Sequence, residues 1–149
     1  MHRAAATAEI AVAASLVAIA TAGCSTDDEG EVPVACKSAP GTLLRALERA
    51  PDPVTLDGTP ISECFAHPSD TADVQAVGFG LTEAATELAA EARTEPESDA
   101  ALELGYLVAA ARAGAAQTPG IYDELVRRLG QELQGVDTRS KAFTTGEQA

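Results

Sequence analysis

The sequence predicts a mainly α fold, a small antiparallel bundle of three or four helices with a short hairpin against one end. Four stretches carry apolar residues at the three- and four-residue spacing of an amphipathic helix. The connections between them are short, which favours antiparallel neighbours. One non-helical stretch contains Asp57-Gly58, a strong tight-turn pair. With 149 residues, one domain is the default expectation.

Helix one is expected from about Pro40 to Ala50. Ser38 is its predicted N-cap, and Pro40 suits the first turn, where a missing backbone N–H costs nothing. Pro51 is expected to end it. Residues 51–67 then form the non-helical part, with short strands on either side of the Asp57-Gly58 turn and Pro60 restricting the hairpin to an edge.

Helix two is expected from about Asp70 to Arg93, capped by Ser69 or by Asp70 itself. Gly78 and Gly80 lie inside it, and each lowers helix propensity by about 1 kcal/mol relative to alanine. Such glycines indicate either a close crossing by another helix or a kink.

Helix three is expected from about Asp99 to Ala116, with Ser98 as its cap. It carries two apolar faces on nearly opposite sides: Leu104, Leu107, Val108, Ala111 and Ala115 on one, and Leu102, Tyr106, Ala109 and Ala113 on the other. A helix that is apolar all round is usually central and buried. The alternative is that the second face belongs to an oligomer interface.

Helix four is predicted to begin at Thr118-Pro119, with the threonine as cap and the proline at the first helical position, and to end near Gly135. Residues 36–136 are therefore expected to form the helical domain. The polar residues 137–149 are expected to be a disordered tail.

Residues 1–23 have the build of a secretory signal: a basic start with Arg3, an apolar run from Ile10 to Ala20, and small residues before Cys24. The run is too short for a comfortable transmembrane helix, which needs about 20 apolar residues. An ordinary signal that is cut near Ala22 and an uncut anchor are two interpretations of this segment.

The stretch Thr21-Ala22-Gly23-Cys24 supports a third interpretation, because it resembles the lipobox of bacterial lipoproteins. The resemblance implies that Cys24 receives a lipid and becomes the amino terminus after cleavage, although Thr21 stands where a leucine-like residue is usual. Residues 24–35 are then expected to be a lipidated cysteine followed by a flexible acidic tether. With this signal, the chain is similar to small lipoproteins of GC-rich Gram-positive bacteria whose activities are not known.

Lipidation of Cys24 would also explain the odd cysteine count, since it leaves Cys36 and Cys64 as a pair. In an oxidising compartment that pair is expected to form a disulfide tying the hairpin region to the start of the domain. Two free buried thiols are the alternative. No metal site is expected, because the chain has only two histidines and no paired-cysteine spacing.

The formal net charge is -13, and it stays at -13 after residues 1–23 are removed, because they hold one arginine and one glutamate. Such a charge argues against nucleic acid as a partner, since phosphate binding needs a basic patch. It also argues against flat contact with anionic lipid. The expected partners are the membrane, through the lipid anchor, and a protein partner or a second copy of the chain. No cofactor is expected.

Two groups of residues could carry chemistry, and both have plainer explanations. His67 is close to Ser69 in sequence, which suggests a base and a nucleophile, but no nucleophile-elbow motif is present and a solvated loop histidine is preferred. Glu83, Glu87 and Glu91 repeat every four residues and are preferred as a solvated helix face rather than a calcium site. No catalytic residue is therefore predicted.

Aromatic residues are scarce, at 3% of the chain, and Phe65, Phe79 and Tyr106 are expected in or beside the core.

The sequence favours a non-enzymatic, membrane-tethered interaction domain outside the cytoplasm. A small-ligand or metal-binding lipoprotein is the alternative, and a hydrolase built around His67 ranks last.

Overall fold

A computed structural model describes residues 31–67, 70–118, 120 and 122–149. Within them the predicted mainly α class is confirmed. The chain order is α1 (Pro40–Leu47), β1 (Thr55–Leu56), β2 (Thr59–Pro60), α2 (Thr71–Thr94), α3 (Asp99–Ala115), α4 (Asp123–Glu132) and α5 (Lys141–Gln148). A first 3₁₀ helix (Val34–Lys37) and a second 3₁₀ helix (Ile61–Phe65) are also present. None of the described helices has the length and apolarity needed to cross a bilayer.

Helix α3 lies at the centre, in contact with α1, α2, α4, α5 and the second 3₁₀ helix. Its whole first apolar face is buried, as predicted for a central helix: Leu104, Leu107, Val108, Ala111 and Ala115. Helix α2, which packs against it, buries eight residues, and four of them are alanines: Ala84, Ala85, Ala89 and Ala92. Small side chains bury little area each, so the fold depends on contacts distributed over many residues.

Helices α2 and α3 begin where the capping pattern predicted. Asp70 accepts a hydrogen bond from the backbone N–H of Asp73 at 2.9 Å, and Ser98 accepts one from that of Ala101 at 3.3 Å. Ser69, the other candidate cap of α2, lies outside the described residues. These caps form within four residues of chain, which is why sequence alone located them.

The starts of α1 and α4 differ from prediction. Ala39, not Ser38, is the N-cap of α1, because the Ser38 hydroxyl donates to the Ala35 carbonyl. Helix α4 begins at Asp123, because the Thr118 hydroxyl donates to the Phe65 carbonyl at 2.8 Å and so ties its segment to the second 3₁₀ helix. Pro119 lies outside the described residues.

The predicted hairpin is present, with Thr55 opposite Pro60 and Leu56 opposite Thr59. Asp57 and Gly58 both adopt positive φ, as the tight turn requires.

The predicted disulfide is also confirmed. Cys36 and Cys64 are bonded with their Cα atoms 5.4 Å apart, and both are buried. In the chain-entropy model, closing a loop of 28 residues stabilises the fold by roughly 3.5 kcal/mol.

The prediction that residues 137–149 are disordered is wrong for Lys141–Gln148, which form α5 and pack against α3. The Phe143 side chain is buried in the core. At the surface, Arg112 of α3 donates to the Glu147 carboxylate at 2.6 Å. The segment is mostly polar, and a single large apolar side chain anchors it, so its pattern resembles that of a tail.

Two groups hold the amino end of α5. The Ser140 hydroxyl accepts a hydrogen bond from the Phe143 N–H at 3.2 Å. Glu97, in the connection between α2 and α3, accepts bonds from the N–H groups of Lys141 and Ala142, each at 3.1 Å. A carboxylate from 44 residues away thus occupies the positive end of the helix.

Helices α3 and α5 cross at very short distance through Gly105 and Gly146. A Cβ atom on Gly105 would collide with the Phe143 carbonyl, and one on Gly146 with the Leu102 carbonyl. Each helix therefore places its backbone where the other lacks a side chain. This crossing covers much of the second apolar face of α3, so a helix of the same chain occupies the place where an oligomer partner was one alternative.

The start of the described chain is packed rather than a free tether. Val32 is buried, and Val34–Lys37 form the first 3₁₀ helix, so the expected flexible tether over residues 24–35 is wrong for this part. The Lys37 ammonium donates to the Asp73 carboxylate at 2.6 Å, and this hydrogen bond raises the pKa of Lys37. Residues 24–30 lie outside the described range.

Candidate functional site

A groove opens between the first half of α2 and the first turns of α4. Its volume is about 310 Å³. Its lining, called here the α2–α4 groove, consists of Val74, Gln75, Gly78, Phe79, Thr82, Glu83, Glu124, Leu125 and Arg128. A Cβ atom on Gly78 would lie 3.5 Å from Leu125, so the glycine leaves room above an apolar floor. The close neighbour of Gly80 is the Ser38 carbonyl, which lies between the first 3₁₀ helix and α1 and not in another helix as predicted. Helix α2 continues unbroken through both glycines.

Phe79 stands in this groove with 64% of its surface exposed. The prediction that Phe79 packs in or beside the core is wrong, whereas Phe65 is fully buried and Tyr106 packs against the core as predicted. The buried stripe of α2 passes through Val77 and Leu81, each two residues from Phe79. Two residues turn a helix by about 200°, which directs Phe79 away from that stripe.

The α2 side of the groove continues into a row of carboxylates. Glu83, Glu87 and Glu91 are all exposed, as predicted for a solvated face. Within the described part of the chain, none of the three takes part in a salt bridge. Like charges at this spacing repel by a few tenths of a kcal/mol per pair, so the row carries an unrelieved electrostatic cost.

On the α4 side of the groove, each charged side chain near the rim has a partner of opposite charge. Glu124 accepts hydrogen bonds from Arg127 at 2.7 Å and from Arg128 at 2.9 Å. These bonds lower the pKa of Glu124 to about 2, and the bond to Glu124 raises that of Arg127. Because two arginines share the one carboxylate of Glu124, the α4 rim keeps one positive charge in excess, whereas the α2 rim carries only negative charge, so the two rims differ in sign.

A second concavity, of about 420 Å³, lies between the hairpin, α3 and the end of α5. Pro53, Ile61 and the small side chains of Ala109 and Ala113 form much of its wall. The Tyr106 hydroxyl lies at its edge and accepts a hydrogen bond from the Val54 N–H at 3.0 Å. The lining also includes Thr55, Ser62, Glu147 and Gln148, so mostly apolar walls carry a few polar groups, as small-ligand sites often do.

Glu103 is the titrating group that sequence reasoning missed. It is half-buried on α3, and burial is the main cause that raises its pKa to about 7, with repulsion from Glu48, Asp99 and Glu91 adding to the effect. A glutamate between two apolar helix faces was visible in the sequence. The convergence of Glu48 and Glu91 from two other helices was not.

His67 is partly buried and lies just after the second 3₁₀ helix. Its backbone carbonyl accepts a hydrogen bond from the Tyr122 hydroxyl at 3.0 Å, while Ser69, its proposed nucleophile, lies outside the described residues. Among the residues that the structure describes, no group of three or more His, Cys, Asp or Glu side chains is arranged to hold a metal ion.

Of the three site residues expected from sequence, the structure brings Cys36 and Cys64 together, and Cys24 lies outside the described residues. Comparison with known protein families, with curated proteins and with solved structures gave no match for this chain.

Proposed function

We propose that this chain is an extracytoplasmic lipoprotein, attached to the membrane through Cys24, whose helical domain binds another protein without catalysing a reaction. The lipobox-like stretch ending at Cys24 supports the anchor. The net charge of -13 supports a domain held away from anionic lipid rather than lying on it. The α2–α4 groove supplies a contact site.

The exposure of Phe79 is the observation that carries the proposal. The chain has five aromatic residues, and the other four are buried or packed against the core. An exposed phenylalanine contributes little to folding. Aromatic side chains in pockets are, in contrast, the commonest anchors of protein interfaces.

The test is recovery of partners from native membranes with the wild-type chain, Phe79→Ala and Val34→Ala. Val34 is the matched control, because it is 81% exposed and does not line the groove. We expect Phe79→Ala to lower recovery of a specific protein at least tenfold and Val34→Ala to leave it unchanged. Equal recovery with all three chains would refute the proposed contact site.

Folding is checked in parallel, because a loss of binding must not reflect a loss of structure. Phe79→Ala should change the free energy of unfolding by less than about 0.5 kcal/mol, since the side chain is mostly exposed.

The second concavity favours one other candidate, a small-ligand-binding lipoprotein. Tyr106 would orient a ligand within apolar walls. A thermal-shift screen with lipids, metabolites and metal ions tests it. A ligand-induced rise in melting temperature that Tyr106→Phe abolishes would support this function, and a screen without such a rise would count against it.

A further inference from the structure

We propose that the partner segment which occupies the α2–α4 groove is a basic amphipathic helix of another protein. The inference rests on the proposed function and adds the chemistry of the partner. It is drawn from the shape of the groove, from its apolar floor and from the charge along one rim.

The shape favours a helix. The groove runs beside α2 over the ten residues from Val74 to Glu83, a length of about 13 Å or about two and a half turns. Grooves between two helices are common docking sites for a third, which inserts side chains at three- and four-residue spacing. Val74, Phe79 and Leu125 offer apolar surface to such side chains.

The charge favours a basic helix. Glu83 lines the groove, and Glu87 and Glu91 extend the row by eight residues, about 12 Å along α2. These carboxylates lack salt bridges within the described part of the chain, whereas Glu124 across the groove already holds two arginines. Lysine or arginine on the flank of a docked helix that faces α2 would remove the repulsion along the row.

The same charge disfavours two other occupants. A second copy of the chain would bring another net charge of -13 to the interface. An anionic membrane surface would repel the glutamate row next to Phe79.

The first experiment is photo-cross-linking in cells that produce the full chain. p-Benzoylphenylalanine replaces Gln75, an exposed residue of the groove, and in a control chain it replaces Asp52, which is exposed and outside the groove. We expect a protein adduct from position 75 only, and we expect Phe79→Ala to reduce its yield at least tenfold. Mass spectrometry of the adduct should identify a segment of net positive charge with apolar residues at helical spacing.

The outcomes separate the two proposals. A Phe79-dependent adduct with a neutral or acidic segment overturns the basic helix and leaves the interaction domain standing. An adduct with a second copy of the chain, or with lipid, overturns both the basic helix and the proposed binding of another protein at this groove. Absence of any Phe79-dependent adduct overturns both.

The second experiment tests charge directly. We expect Glu83→Gln combined with Glu87→Gln to lower the adduct yield about fivefold, the effect of removing two exposed ion pairs. Asp52→Asn combined with Glu63→Gln makes the same change in net charge at exposed positions outside the groove and should have no effect. Equal losses in both double variants would show a response to net charge alone and would contradict the inference.

Discussion

Single atoms decide how closely α3 and α5 approach. At Gly105 and Gly146 each helix backbone occupies the place that a methyl group on the other would need. Backbone cannot move aside as a flexible side chain can, so the two helices would have to separate to admit that methyl group. These glycines are therefore needed for space and not for a special backbone angle, since neither adopts positive φ.

Gly146→Ala should destabilise the fold by about 3 kcal/mol or more, because the added methyl group collides with the Leu102 carbonyl. Gly130→Ala is the matched control. Gly130 lies in α4 with nothing near its Cβ position, so alanine there should stabilise the fold by about 0.5–1 kcal/mol. Urea denaturation measures both. A similar effect of the two substitutions would contradict the close crossing.

Glu103 should make stability depend on pH. Its pKa in the folded protein is about 7, against 4.5 for an ordinary glutamate, so the folded state holds this proton more tightly than the unfolded chain does. The resulting stability is fully present below pH 4.5 and is lost as the pH rises through 7. Ionisation above pH 7 then leaves a half-buried charge beside three other carboxylates.

Glu103→Gln should therefore stabilise the protein by about 1 kcal/mol at pH 8 and have little effect at pH 4.5. The gain is smaller than the pKa shift alone implies, because the side chain is partly exposed and water screens it. Unfolding free energies at the two pH values measure this difference, with exposed Glu87→Gln as control. An equal effect of Glu103→Gln at both pH values would be inconsistent with the raised pKa.

Among the secondary-structure elements, α5 packs most extensively against the central helix α3. It covers the part of the second face of α3 around Leu102 and Tyr106, and its amino end is held by Glu97 and Ser140. The Arg112–Glu147 ion pair is more than one-third exposed on each side, so it adds at most about 1 kcal/mol. Burial of Phe143 and the glycine crossing are the larger contributions.

A chain ending at Asp137 should be less stable and should self-associate. Loss of α5 removes the buried Phe143 side chain, which alone is worth about 3 kcal/mol or more, and exposes apolar surface on α3. Urea denaturation and light scattering at increasing concentration measure the two effects. A monomeric truncated chain with unchanged stability would show that α5 is not part of the packed fold.

At the scale of the whole molecule, the proposed anchor attaches the chain to the membrane, and the proposed role of the domain is to bind the partner. An anionic bilayer repels a domain with a net charge of -13, so the proposed function relies on the lipid at Cys24 to hold the domain at that surface. Two or more acyl chains give lasting attachment, at about 0.8 kcal/mol for each buried methylene. The domain is then free to present its groove to other proteins.

Radiolabelled palmitate should enter the wild-type chain and the Cys36→Ser/Cys64→Ser double variant, and it should not enter Cys24→Ser. The reason is that the proposed lipid attachment is at Cys24, in the lipobox-like stretch, whereas the other two cysteines form the disulfide. Gel autoradiography after immunoprecipitation gives the measurement. Labelling that persists in Cys24→Ser would refute the anchor.

The sequence by itself determined the features that depend on neighbouring residues. The helix class, the caps at Asp70 and Ser98, and the turn at Asp57-Gly58 all result from interactions within a few residues. The Cys36–Cys64 bond was predictable for a different reason, since the lipidation of Cys24 that the lipobox-like stretch implies leaves these two cysteines as a pair. A buried stripe on α2 was equally visible in its periodicity.

Only the tertiary structure decided the rest. Helix α5, the late start of α4 and the raised pKa of Glu103 all depend on groups that are far apart in sequence. The exposure of Phe79, in contrast, follows from its place on α2, two residues from the buried Val77 and Leu81. Local sequence patterns do not show which distant carbonyl, carboxylate or helix face will contact a given residue in the folded chain. The candidate groove belongs to this second class, because its two walls come from different helices.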